Sequence, residues 1–123
     1  MEVKTKGKDP NDSESSEELK LGGDIILVGF SLEPTEMIVA KKIIGNYVRK
    51  ISEKTDYQDI KITLKKTQKA QSFLHEIEVN VKTNKGILAA DTVNNNLYTA
   101  LSEALEKTYN QAEHKERTSR QGE

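Results

Sequence analysis

Apolar residues along this chain fall into blocks with two different periods. Asp24-Ile25-Ile26-Leu27-Val28 is a continuous β-branched run closed by Gly29, the pattern of a short strand covered on both faces. Ser31-Leu32-Glu33-Pro34-Thr35-Glu36 follows. Thr35 is a residue type that accepts a backbone N–H as N-cap, and Glu36 would put negative charge at the positive end of a helix dipole. From Met37 onward, Ala40, Ile44, Tyr47, Val48 and Ile51 recur every three or four positions, which predicts a helix reaching about Glu53. A turn of 100° per residue puts Lys42 and Arg49 on nearly one line, with Gly45 and Asn46 between them. The helix therefore carries a basic edge flanking a low spot.

Beyond Asp56 to Asp59, which has turn chemistry, the period changes to two. Ile60 to Lys65 alternates strictly and predicts a half-buried strand. Lys66 to Gln71 is polar and basic and is expected as a hairpin loop. The run from Phe73 to Lys82 alternates again: Phe73, His75, Ile77, Val79 and Val81 share one face, and Leu74, Glu76, Glu78, Asn80 and Lys82 the other. Thr83-Asn84-Lys85-Gly86 is a tight connection into a fourth strand, Ile87 to about Asp91. Asn94, Asn95 and Asn96 then offer capping amides ahead of Leu97, Ala100, Leu101, Ala104, Leu105, Thr108 and Ala112, one helical face that extends to about Thr118. The expected class is α+β in the order β-α-β-β-β-α. A four-stranded sheet carries both helices on one face, with strands one and two parallel across the first crossover and the rest a meander.

Length and composition narrow this further. The 123 residues suffice for one domain, expected over residues 24–118. Residues 1–23, rich in Lys, Glu, Ser and Asp, are expected as a disordered leader, and 119–123 as a frayed tail. With no Cys, disulfides, zinc–thiolate sites and thiol nucleophiles are excluded. No apolar run approaches the roughly 18 residues of a membrane span, and Met1 opens onto charged residues rather than a secretory or transit signal. The expected location is the cytoplasm.

The net charge of −1 hides a segregation. Residues 1–23 hold four Lys against six carboxylates, a net of −2, whereas 41–69 hold nine cations against three carboxylates, a net of +6. Taken alone, a charge-dense segment is an ordinary solvated face.

The order of elements and several local patterns change that weighting. Leu97-Tyr98-Thr99-Ala100-Leu101, ahead of Leu105-Glu106-Lys107 and Gln111, is similar to the capped second helix of the ribosome hibernation promoting factor family. That family is also described as ribosome-associated translation inhibitors or sigma-54 modulation proteins. Gly86 to Asp91 resembles its fourth strand, Glu76 to Val79 its third, and Gly29 through Thr35-Glu36 its first loop and helix cap. The resemblance spans Asp24 to Arg117 and corresponds to a short form, without the extra domain by which long members pair ribosomes. It implies a non-enzymatic protein that binds the decoding channel of the small ribosomal subunit, through 16S-type ribosomal RNA and ribosomal proteins, and excludes messenger and transfer RNA. It also implies stress-linked translation inhibition and a monomer when free, with no cofactor, small-molecule substrate or membrane.

The candidate RNA-binding residues are Lys41, Lys42, Arg49 and Lys50 on the first helix, Lys65 and Lys66 at a strand end, and Lys107, His114 and Arg117 on the second helix. Lys107 is the best-matched position, while Lys42, Arg49 and Lys50 correspond regionally. Arg49 has the most suitable chemistry, since a guanidinium forks onto phosphate where Lys offers a point charge. The chain departs from the family in its leader and in Asn110 and His114, which stand where further Lys or Arg is usual.

Other features read as structure. Tyr47 belongs to the helix stripe, and Tyr98 packs at a cap with an outward hydroxyl. His75 is a lone strand histidine with no metal partner, and Glu76 and Glu78 are solvated strand carboxylates without a nucleophile. The alternative function is a protein-interaction module that does not bind RNA. A general double-stranded RNA binder would share this plan of a sheet and two helices, but the second helix here lacks the Lys-Lys start such a module would use to grip phosphates.

Overall fold

The computed structural model describes residues 18–22 and 24–121. Residues 1–17 and Gly23 of the expected leader, and 122–123 of the expected tail, lie outside them. Strands β1 (Glu18–Gly22) and β2 (Ile25–Val28) lead to helix α1 (Pro34–Lys54). Strands β3 (Tyr57–Lys69), β4 (Ser72–Thr83) and β5 (Gly86–Asn94) then precede helix α2 (Leu97–Gln121).

The four expected strands and both helices occur in the expected order, with β2 parallel to β3 and β3, β4 and β5 antiparallel in turn. A fifth strand, β1, precedes them and pairs antiparallel with β2, so Glu18–Gly22 is sheet rather than leader. The sheet order is β1-β2-β3-β4-β5. Helix α2 runs through Gln121, into the segment expected to fray.

One core joins the sheet to the helices. Ile60, Ile62 and Leu64 on β3 lie opposite Val81, Val79 and Ile77 on β4, and Leu88 lies opposite Val81. These side chains pack with Leu27 of β2, with Ala40, Ile44 and Val48 of α1, and with Ala100, Leu101, Ala104 and Leu105 of α2. Each Val, Leu or Ile among them contributes roughly 1.5–3 kcal/mol by leaving water. Two buried threonines are satisfied by backbone: Thr92 Oγ1 on β5 donates to the Ala100 carbonyl of α2 at 2.6 Å, and Thr108 Oγ1 donates to the Ala104 carbonyl one turn earlier in α2 at 2.9 Å.

Helix α1 starts two residues earlier than its cap chemistry predicts. Glu33, not Thr35, is the N-cap, Pro34 occupies the first turn, and the Glu36 carboxylate accepts the Glu33 N–H at 3.0 Å in a capping box. Proline at that position loses nothing, because the first-turn N–H has no intrahelical partner anyway. At α2 the expected asparagines cap: Asn96 Oδ1 accepts the Thr99 N–H at 2.9 Å, and Asn94 Oδ1 accepts the Asn96 N–H at 2.8 Å.

Candidate nucleic-acid interface

The outward face of α1 is cationic and open. Lys41, Lys42, Gly45, Asn46, Arg49 and Lys50 are all exposed, and the helix carries no carboxylate between Glu36 and Glu53. Among the described residues no ion pair engages Lys42 or Arg49. A Cβ at Gly45 would meet nothing within 4 Å, so the low spot between the two cations is present. Backbone exposed there lets a polyanion approach the helix more closely than any side chain would allow.

The two helices run side by side in the same direction. Tyr47 faces Glu106, and two turns further along each helix the Lys54 ammonium stands 3.9 Å from the Glu113 carboxylate. A hydrogen bond to Glu106, burial, and the carboxylate's charge together raise the Tyr47 hydroxyl above its ordinary pKa. The Lys50 ammonium stands 5.0 Å from the Tyr47 ring centroid.

This packing separates the candidate cations. Arg49 lies 200° around α1 from Tyr47 at 100° per residue, so it points away from α2. On α2, Lys107 reaches over the sheet edge and donates to the Asp91 carbonyl at 3.2 Å. The depression from Tyr47 to Lys107 is lined by Ser102, Glu103 and Glu106, so carboxylates stand between the α1 cations and Lys107. The single array spanning both helices is therefore not formed. His114 is exposed on α2, and Arg117 falls on α2 beyond the last described side chain.

Lys65 and Lys66 sit elsewhere, at the root of a two-stranded ribbon. Residues 66–71 are not a loop as expected: β3 continues to Lys69, β4 begins at Ser72, and Ala70 takes φ 57° in a two-residue turn. Pairing with β2 ends at Thr63 and pairing with β5 begins at His75, so the ribbon projects past both neighbours. It leaves the sheet at the end where β2 leads into α1. From Ile60 to His75 the chain has four lysines and no carboxylate. Phe73 is 45% exposed, with the Lys66 ammonium 5.2 Å from its ring centroid. Lys69 was missed as a candidate because Lys66 to Gln71 reads as loop, and Phe73 because its alternation with Ile77 and Val79 reads as a core-facing strand position; the unbroken lack of acidic residues was the available signal.

The open sheet face offers less. Lys65 lies opposite Glu76, and Glu78 lies opposite Asp91. Among the described residues no cluster of histidines and carboxylates could hold a metal ion. His75 Nδ1 is shielded from solvent and has no hydrogen-bond partner among the described residues. No described helix is long and apolar enough to cross a membrane.

No protein-family model and no curated protein matches the chain. Among solved structures, the fold is similar to that of the Thermus thermophilus Protein Y N-terminal domain. The TM-score is 0.52 at 17% sequence identity, over 72% of this chain and 92% of that one.

Proposed function

We propose that this chain associates with the ribosome and silences translation by occupying the decoding channel of the small subunit, where it excludes messenger and transfer RNA. The likeness of its fold to Protein Y, a ribosome hibernation factor, supports a role of that kind. The observation that carries RNA contact is the α1 face, where Lys41, Lys42 and Arg49 flank exposed backbone at Gly45 and Lys50 stands at the side near Tyr47, with no carboxylate on the helix between Glu36 and Glu53. Each phosphate a cation neutralises releases counterion, so several fixed cations on one helix face make affinity grow as salt falls. The docking surface is centred on α1, and Lys107, His114 and Arg117 are peripheral to it. Catalysis plays no part in this reading.

Co-sedimentation with purified small subunits tests it. Association weakens steeply between low and high salt, and a messenger fragment that fills the channel competes. Equal co-sedimentation at both salt concentrations, or none at either, overturns the proposal.

The alternative, a protein-interaction module, is favoured by one observation. Ile87 and Val93 are 62% and 57% exposed on the open face of β5, an apolar pair that a partner protein would cover. A stoichiometric partner retained from ribosome-free lysate, and released by Val93→Asp, supports that reading.

A further inference from the structure

We propose that the projecting β3–β4 ribbon is a contact for single-stranded RNA, in which Phe73 stacks on an unpaired base and Lys66, beside the ring, and Lys69, at the tip, hold the adjoining phosphates. The proposal rests on the RNA-binding reading above and adds a second, separately built site to it.

The ribbon has no evident role in holding the fold. Every residue from Lys65 to Phe73 is exposed, and past Thr63 and before His75 neither β2 nor β5 flanks it. A two-stranded ribbon in water is marginally stable at best, so extending one beyond the sheet adds little to folding. Its composition is also one-sided. Lys61, Lys65, Lys66 and Lys69 repel one another with no acidic residue between Asp59 and Glu76, an arrangement that favours a polyanion.

Phe73 identifies the kind of polyanion contact. Gln68 lies opposite Phe73 and Lys66 opposite His75, so these four side chains share one face of the ribbon. Lys66 stands over the Phe73 ring, and much of the ring remains open to solvent. An exposed aromatic set among cations is the arrangement by which sequence-tolerant proteins hold single strands: the ring takes a base, and the lysines follow the backbone. Its surroundings do not suit a protein pocket, where an aromatic anchor sits inside a patch that excludes water. Here the neighbours are Lys66, Gln68, Gln71 and Ser72, all exposed.

The chain has no tryptophan, so Phe73→Trp introduces a single indole reporter at the site. Its emission is quenched saturably by a short oligouridylate and by purified small ribosomal subunits. In that background, combining Lys66→Ala with Lys69→Ala lowers both affinities about tenfold and flattens the salt dependence. Phe73→Leu, which keeps an apolar side chain but removes the stacking face, weakens oligouridylate binding roughly tenfold. All these positions are exposed, and thermal unfolding of each variant checks that the fold is intact. Unchanged emission on subunits that still co-sediment with the protein overturns the ribbon contact and leaves the proposed function standing. Quenching by oligouridylate without any subunit binding does the reverse. A Phe73→Leu variant that binds RNA as the wild type does also overturns it.

Discussion

Lys107 donates to the backbone carbonyl of Asp91 at 3.2 Å, which ties the best-matched candidate cation to the free edge of β5. The ammonium keeps its full charge there, but the hydrogen bond holds it over β5, away from a phosphate docked on α1. Arg49 makes no such contact among the described residues. Arg49→Ala is therefore expected to reduce small-subunit affinity several-fold and to lower the magnitude of the log–log salt slope by about one. Lys107→Ala should change both far less. Salt titrations of co-sedimentation for the two variants, run in parallel, decide between an α1-centred surface and one spread over both helices.

Gln111 completes the cover over that edge. Its amide oxygen accepts the Ala89 N–H at 3.1 Å and its amide nitrogen donates to the Ala89 carbonyl at 2.6 Å, pairing both groups as a further strand would. Unpaired strand edges recruit other chains, and a covering side chain blocks that. Gln111→Leu should cost about 1–2 kcal/mol in denaturant unfolding. It should also produce concentration-dependent association in sedimentation velocity, whereas Gln111→Glu, which can still accept the N–H, should associate less.

The helix pair carries a pH signature. Tyr47 is held protonated by Glu106, so its folded pKa lies above the ordinary value of about 10. The stabilisation is fully present below that ordinary value and is lost as pH rises through the folded pKa. Tyr47→Phe removes the hydroxyl, so it should be less stable than wild type at neutral pH, with the gap closing as pH climbs above about 10. Urea unfolding of the two proteins across that range checks it. A gap that stays constant would mean the Glu106 contact is not what separates them.

What could be read in advance follows from where burial leaves a trace. Helix α1 was legible because Ala40, Ile44, Val48 and Ile51 must all face one core, and only a 3.6-residue period does that. The same holds for the alternating Ile77, Val79 and Val81 of β4. Strand β1 was not legible in its charged segment, although Leu19 and Leu21 alternate ahead of Gly22 and Gly23; its strand state comes from pairing with β2 rather than from a pattern of its own. The ribbon was read as a loop for a related reason. Strand residues exposed on both faces need no apolar alternation, so Lys66 to Lys69 carry no period.

The candidate site was legible one element at a time. Lys42, Gly45 and Arg49 share a helix edge by arithmetic alone, and the structure keeps them together. Whether that edge joins Lys107 depended on how α1 and α2 pack, and no local pattern encodes that. Burial of Ala40, Ile44, Val48 and Ile51 sets the rotation of α1, and α2 packs on its Tyr47 side, so Arg49 faces away from α2.

Two glycines with opposite surroundings give the sharpest test of the α1 surface. Gly29 has φ +77°, and a Cβ there would collide with the Leu64 backbone carbonyl of β3. Gly29→Ala combines left-handed strain with a clash against backbone that cannot yield, and should cost about 2–4 kcal/mol. Gly45 has ordinary helical geometry and open space around it, so no packing constraint in the fold requires glycine. Gly45→Ala should raise stability by about 0.5–1 kcal/mol, since glycine is a poor residue for a helix interior. If RNA backbone rests on that spot, the same methyl group stands between Lys42 and Arg49 and holds phosphate away from both. The expected result is a protein that melts higher yet binds small subunits more weakly, with Gly45→Gln weaker still. Higher stability with unchanged binding would show that nothing approaches the helix at Gly45 and would move the contact elsewhere on the molecule.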